Sequence, residues 1–107
     1  MINRFMRIIV FFDLPVVTKK QRKTYAQFRK FLINSGFDMI QFSVYARITR
    51  NSDDAKKYIA LVDKNKPPEG SVRVLSVTER QYSSMILLVG EKTATENFLG
   101  TNDILDL

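Results

Sequence analysis

The chain has 107 residues, and 17 Lys and Arg against 11 Asp and Glu leave a formal charge of +6. At ~100–200 residues per domain that length holds one domain, and a hydrophobic content of 45%, eight Phe included, supplies a core and excludes a disordered tail. The absence of Cys and His excludes a disulfide framework, a zinc finger, a thiol nucleophile, a catalytic triad and any His-based general base, so a metal here must be a hard ion held by oxygen.

The Ile8–Phe12 apolar run falls far short of the ~20 residues that span a bilayer. Arg4 and Arg7 flank a short apolar stretch without a small-residue cleavage site, which does not read as a signal peptide. A cytoplasmic protein without membrane contact is expected.

Phe5–Phe12 is β-branched and aromatic, stops at Asp13-Leu14-Pro15, and reads as a central strand because both parities are mostly apolar. Its even face is Met6, Ile8, Val10 and Phe12; its odd face is Phe5, Arg7, Ile9, Phe11 and, by continuation, Asp13. Thr18 is a good N-cap for a helix over 19–34, which lacks Gly and Pro and ends at Ser35-Gly36. On that helix Gln21, Thr24, Tyr25, Phe28, Phe31 and Leu32 share one face, while Lys19, Arg22, Lys23, Arg29 and Lys30 lie around the remainder. The predicted rod is about 25 Å long at ~1.5 Å per residue. Tyr25, Phe28 and Phe31 read as core and not as a stacking platform.

Phe37–Ile48 alternates again, as one long strand or as two short ones joined near Gln41–Ser43. Asn51-Ser52-Asp53 caps a second helix over about 53–65, with Ala55, Tyr58, Ile59 and Val62 on its buried stripe. Lys66-Pro67-Pro68-Glu69-Gly70 is a loop. Ser71–Thr78 reads as a strand, Glu79–Ser84 as a short helical piece or turn, Met85–Gly90 as another strand, and Asn97–Leu99 as a short one.

This order predicts an α+β ferredoxin-like βαββαβ sandwich with an additional C-terminal strand, helices on one face of the sheet. The expected division is a 1–90 domain and a 91–107 tail. The face without helices would show Phe5, Ile9 and Phe11 from the first strand and Met39 and Tyr45 from the second. A contiguous apolar face implies a partner surface, and a two-fold dimer packing sheet on sheet is the simplest partner. The other reading covers these aromatics with the chain's own C-terminal tail.

Charge is unevenly placed. Residues 1–50 hold ten Lys and Arg against Asp13 and Asp38 alone, whereas residues 51–107 hold seven bases and nine acids. A strongly basic half suggests a polyanion-binding face, and the bland reading is a solvated surface.

Asp13 stands at the C-terminal end of the first strand, just ahead of a helix start. Sharing parity with Ile9 and Phe11, it would point to the proposed dimer face, where symmetry brings two carboxylates together. One reading makes it a ligand for Mg²⁺ (or Mn²⁺) that activates water against a phosphodiester; the other makes it an Asx turn completed by Pro15. Ser43 and Tyr45 read as interface polars or as groups that orient a water or contact phosphate. Arg7 pairs with an acid across the interface or reaches phosphate. A Gly-rich phosphate loop and the RNA-recognition signature are both missing.

Several segments together resemble the CRISPR-associated protein 2 family. They are residues 8–15, IIVFFDLP; the basic helix with Arg22, Tyr25, Phe28, Arg29, Phe31 and Leu32; Gly36-Phe37; Gln41-x-Ser43-Val44-Tyr45; and Thr78-Glu79-Arg80-Gln81-Tyr82. The resemblance runs from about residue 5 to 100, and Leu14-Pro15 with Phe98-Leu99-Gly100 is most similar to the variants of type II systems. It implies a ferredoxin-like homodimer whose last strand, Met85–Gly90 or the Phe98 region, crosses to the partner's sheet. It implies a scaffold in spacer acquisition, flanked by the CRISPR integrase, that holds double-stranded prespacer DNA. It also implies metal-dependent endonuclease activity on single-stranded RNA or double-stranded DNA, with Asp13 at the position credited with the metal.

Three functions follow. In the first, a scaffold holds duplex DNA through Lys19, Lys20, Arg22, Lys23, Arg29 and Lys30, by phosphate contacts that read no sequence. In the second, a Mg²⁺- or Mn²⁺-dependent nuclease uses Asp13, a stand-alone toxin-like endoribonuclease being one variant. The third is a ferredoxin-like regulatory module that senses a small molecule.

Overall fold

The computed structural model describes residues 5–92. Four strands and three helices follow in the order β1 (Met6–Asp13), α1 (Lys19–Asn34), β2 (Asp38–Gln41), β3 (Val44–Thr49), α2 (Ser52–Lys64), β4 (Ser71–Thr78) and α3 (Glu79–Ser83). The sheet is antiparallel throughout, in the order β2-β3-β1-β4. This is the α+β ferredoxin-like arrangement expected from the chain. The 37–48 segment resolves into two short strands joined at Phe42-Ser43, with a register irregularity between Met39 and Gln41.

Helix boundaries follow side-chain chemistry. Thr18 accepts from the Gln21 backbone N–H while the Gln21 side chain accepts from the Thr18 N–H, a reciprocal capping box that satisfies two otherwise orphaned donors. Thr78 and Gln81 repeat the device at the start of α3. Asn51 caps α2, and the Asp54 carboxylate accepts from the Arg50 backbone N–H at 3.0 Å. That hydrogen bond, reinforced by the Arg50 charge, holds the Asp54 carboxyl below its ordinary pKa.

Pleating divides β1 cleanly. Ile8, Val10 and Phe12 enter the main core with Phe28 and Leu32 of α1, Ala55 and Val62 of α2, Leu14, Phe37 and Tyr45. Phe12 meets Phe28 edge-on at 5.2 Å between ring centroids and stacks on Tyr45 at 5.7 Å, separations at which aromatic pairs add to simple burial. Tyr25 and Phe31 pack against this core, as their helical spacing predicts.

The opposite face carries no long helix. Its centre is a small cluster of Ile9, Ala46 and Tyr82, so α3 folds back across it. Arg7 lies here, 2% exposed, and gives Glu79 a two-pronged ion pair, Nε to Oε2 at 2.6 Å and Nη2 to Oε1 at 3.1 Å. Its guanidinium also sits 4.3 Å from the centroid of the Tyr82 ring. The acid expected across an interface is therefore supplied within the chain.

Two expectations fail. The register pairs Val10 with Tyr45 and Ile9 with Ala46, and Met39 with Tyr45, so the odd residues of β3 face the helices and Met39 shares their side; Tyr45 is fully buried, and neither residue joins the open face. Parity does not carry from one strand to the next, because the turns between them reset it. Met85–Gly90 is not a strand: it follows α3, has no ladder partner among the described residues, and leaves Met85, Ile86, Leu88 and Val89 48 to 90% exposed. The expected strand at Asn97–Leu99 lies outside the described residues, as does most of the 91–107 tail.

No helix among the described residues is long and apolar enough to cross a membrane.

Candidate nucleic-acid interface and strand-end carboxylate

All six cations singled out in α1, namely Lys19, Lys20, Arg22, Lys23, Arg29 and Lys30, are solvent-exposed, and the helix contains no acid. The 3.6-residue period explains this: burying Phe28 and Leu32 leaves Lys19, Lys23 and Lys30 on the diametrically opposite side. Arg22 and Arg29 lie on one flank and have structural duties. Arg22 Nη1 donates to the carbonyls of Val16 and Val17, at 3.2 and 2.7 Å, and so ties down the loop that follows Asp13. Arg29 Nε donates to the buried Tyr45 hydroxyl at 2.9 Å, satisfying a polar group that would otherwise destabilise the core. The lysines make no ion pair among the described residues.

Not every base of the N-terminal half belongs to this surface. Arg7 is spent on Glu79. Arg47 is held beneath α1 and α2, donating from Nη1 to Ser35 O at 3.1 Å and from Nη2 to the Tyr58 hydroxyl at 2.8 Å.

Asp13 ends β1, opposite Ser71 of β4, and is exposed. It shares the open face with Phe11 and Ile9, as its parity predicts. Its carboxylate makes no hydrogen bond or ion pair among the described residues. The close approach of the preceding loop depends on Gly70, which has φ +92°; a Cβ there would fall 2.7 Å from the Asp13 carbonyl oxygen. Around Asp13 is a groove of about 210 Å³ lined also by Phe42, Ser43, Ser71 and Arg73. Ser43 is not a strand residue but the second residue of the β2–β3 turn, with φ +61°. Its Oγ lies 3.3 Å from the Tyr25 hydroxyl, and its carbonyl accepts from Phe12 N–H at 3.0 Å.

Sequence reasoning passes over Phe42 and Arg73. Arg73 enters the groove through the pairing of Phe11 with Arg73, which no local pattern displays. Phe42 had a signal in the turn at Gln41–Ser43: a residue at a hairpin tip leaves the alternation, so its apolar parity no longer implies burial.

The groove suits an oxygen-ligated ion only in part. Among the described residues no three His, Cys, Asp or Glu side chains come together to hold a metal. Asp13 offers one hard carboxylate, which fits a Mg²⁺ that fills its shell with water and phosphate oxygens and does not fit a closed protein cage.

The fold and this surface define a small ferredoxin-like domain with one cationic helix and one free carboxylate at a strand end. The family model described as CRISPR associated protein Cas2 matches residues 6–85, and the chain belongs to that family. It is 60% identical over 85 residues to the CRISPR-associated endoribonuclease Cas2 of Acidovorax ebreus (strain TPSY), covering 79% of this chain and 83% of the relative. It is 50% identical over 100 residues to the protein of the same name from Treponema denticola, covering 94% of this chain and 97% of the relative. The Campylobacter jejuni protein of that name is 43% identical over 107 residues, covering 95% of this chain and 75% of the relative.

Proposed function

We propose that this protein acts in CRISPR adaptation as a homodimeric scaffold that holds duplex prespacer DNA beside the CRISPR integrase subunit. The observation that carries the reading is α1, sixteen residues with six exposed cations, no acid and, among the described residues, no ion pair. Such a surface attracts phosphates, releases their counterions and reads no bases. The open face supplies the second half of the reading. Phe11 and Leu75 stay 37% and 49% exposed beside the Tyr82 cluster, and the apolar Met85–Val89 segment follows without a strand to pair with among the described residues. A second copy would cover the face, and the exchanged C-terminal strand would find at β4 an edge strand bordered by an apolar groove of about 430 Å³ that includes Ile59, Ala60 and Val74.

Titration of labelled duplex DNA at several salt concentrations tests the scaffold. The triple change Lys19→Glu, Lys23→Glu, Lys30→Glu is the right probe, because those lysines have no structural partner. It should remove most of the affinity and flatten the salt slope by about 0.9 per lost phosphate contact. Unchanged affinity and slope would overturn the reading.

The free, exposed Asp13 carboxylate favours a second activity, Mg²⁺- or Mn²⁺-dependent cleavage of single-stranded RNA, in keeping with the endoribonuclease name of the relatives. Asp13 would hold the ion, and the ion when bound would supply a water of lowered pKa and neutralise phosphate charge. Asp13→Asn should abolish cleavage with duplex binding intact; cleavage that survives in purified variant would overturn the role of Asp13.

A further inference from the structure

We propose that Phe42 and Arg73 form a seat for one unpaired nucleotide beside Asp13, with the base stacked on the Phe42 ring and its phosphate on the Arg73 guanidinium. The proposal rests on the endonuclease reading of the Asp13 groove and assigns its binding residues.

Phe42 is 84% exposed, and it is not exposed through slack. The next residue, Ser43, holds a left-handed φ of +61°, a conformation that L-residues rarely adopt and that persists where surroundings enforce it. The enforcement is visible: the Ser43 carbonyl is bonded to Phe12 N–H and its hydroxyl lies at the Tyr25 hydroxyl. The turn therefore presents a flat aromatic ring from a fixed base.

Arg73 stands on the other side of the groove. It pairs in register with Phe11, and Ser71 pairs with Asp13, so Arg73 and Asp13 are diagonal neighbours, roughly 7–8 Å apart by strand geometry. Arg73 is exposed, makes no ion pair among the described residues, and is the one cation among the groove's lining residues. β1 runs between β3 and β4, so the turn carrying Phe42 and the strand carrying Arg73 flank Asp13 across two strand spacings, about 10 Å. A nucleotide reaches over that distance from base to phosphate.

The chemistry names the occupant. An exposed aromatic ring takes a base and a guanidinium takes a phosphate, a pair of groups that an apolar ligand would leave half unused; the divalent ion proposed at Asp13 would offset the repulsion between that carboxylate and the phosphate. Stacking on a protein ring requires a base already out of its own stack, so the seat selects single strands over duplex.

The test uses the full chain and two labelled probes, a single-stranded oligoadenylate and a blunt DNA duplex, with particle mass measured by light scattering. Phe42→Ala should weaken single-strand binding roughly ten- to a hundredfold, given ~1–3 kcal/mol per stacked base, with duplex affinity and mass unchanged; Phe42→Trp should restore it. Arg73→Gln should lower the single-strand salt slope by about 0.7. Single-strand affinity unaltered in Phe42→Ala would overturn the proposal. So would a changed particle mass, which would make Phe42 a contact between copies, or an equal loss on duplex. Failure of the Asp13 cleavage reading shows separately, in Asp13→Asn activity, and failure of the scaffold reading shows in the duplex affinity of the unaltered chain.

Discussion

The two faces of one sheet are built by alternate residues of the same strand and have opposite characters. On the helix-covered face Ile8 and Val10 are fully buried, Phe12 nearly so, and the core around them is aliphatic and aromatic, the Tyr45 hydroxyl being satisfied by Arg29. On the open face, the same strand contributes a buried arginine, a moderately exposed phenylalanine and a free carboxylate. The difference teaches where chemistry fits in so small a domain. The covered face supplies the folding free energy through apolar burial, with the Arg47 guanidinium at its margin held by Ser35 and Tyr58 and only its Nε left without a partner; the open face, patched by a five-residue helix, keeps the groups that meet another molecule.

The sharpest way to break this comparison is on the covered face. Phe28→Ala removes a 3%-exposed ring that contacts Phe12 and Phe31, and should cost about 3–5 kcal/mol, read from urea unfolding. A loss below 1 kcal/mol would mean that the aromatic core is not the main source of stability.

Arg7 comes next in size. Arg7→Ala leaves the Glu79 carboxylate poorly solvated without its partner, and should cost about 3 kcal/mol. Replacing both, Arg7→Met with Glu79→Leu, should recover most of that in the same assay, because an apolar pair leaves no orphaned charge. If the double variant were as weak as the single one, α3 would be held by the geometry of the ion pair itself and not by relief of burial.

The smallest stability effect is expected on the open face. Leu75→Glu, at a half-exposed position, should stay within about 0.5 kcal/mol of the parent, yet convert the proposed dimer to a monomer in light scattering. A dimer that survives this change would place the contact elsewhere and remove the functional half of the contrast.

Much of this was legible without coordinates. The chain alone determined β1, α1, α2 and β4 nearly to the residue, because alternation, helical spacing and capping residues such as Thr18 and Asn51 act over a few neighbours. It likewise determined the exposure of the α1 cations, since burying Phe28 and Leu32 forces Lys19, Lys23 and Lys30 outward. Tertiary structure alone decided which side of the sheet each later strand presents. The Phe42-Ser43 turn and the pairing of Val10 with Tyr45 put the odd residues of β3 under the helices, against the parity carried over from β1. It also decided that Arg7 finds Glu79 seventy-two residues away, that Met85–Gly90 stays out of the described four-stranded sheet, and that Phe42 and Arg73 flank Asp13. These are register and long-range contacts, set by how whole elements dock, and such information is not held in any short window of residues.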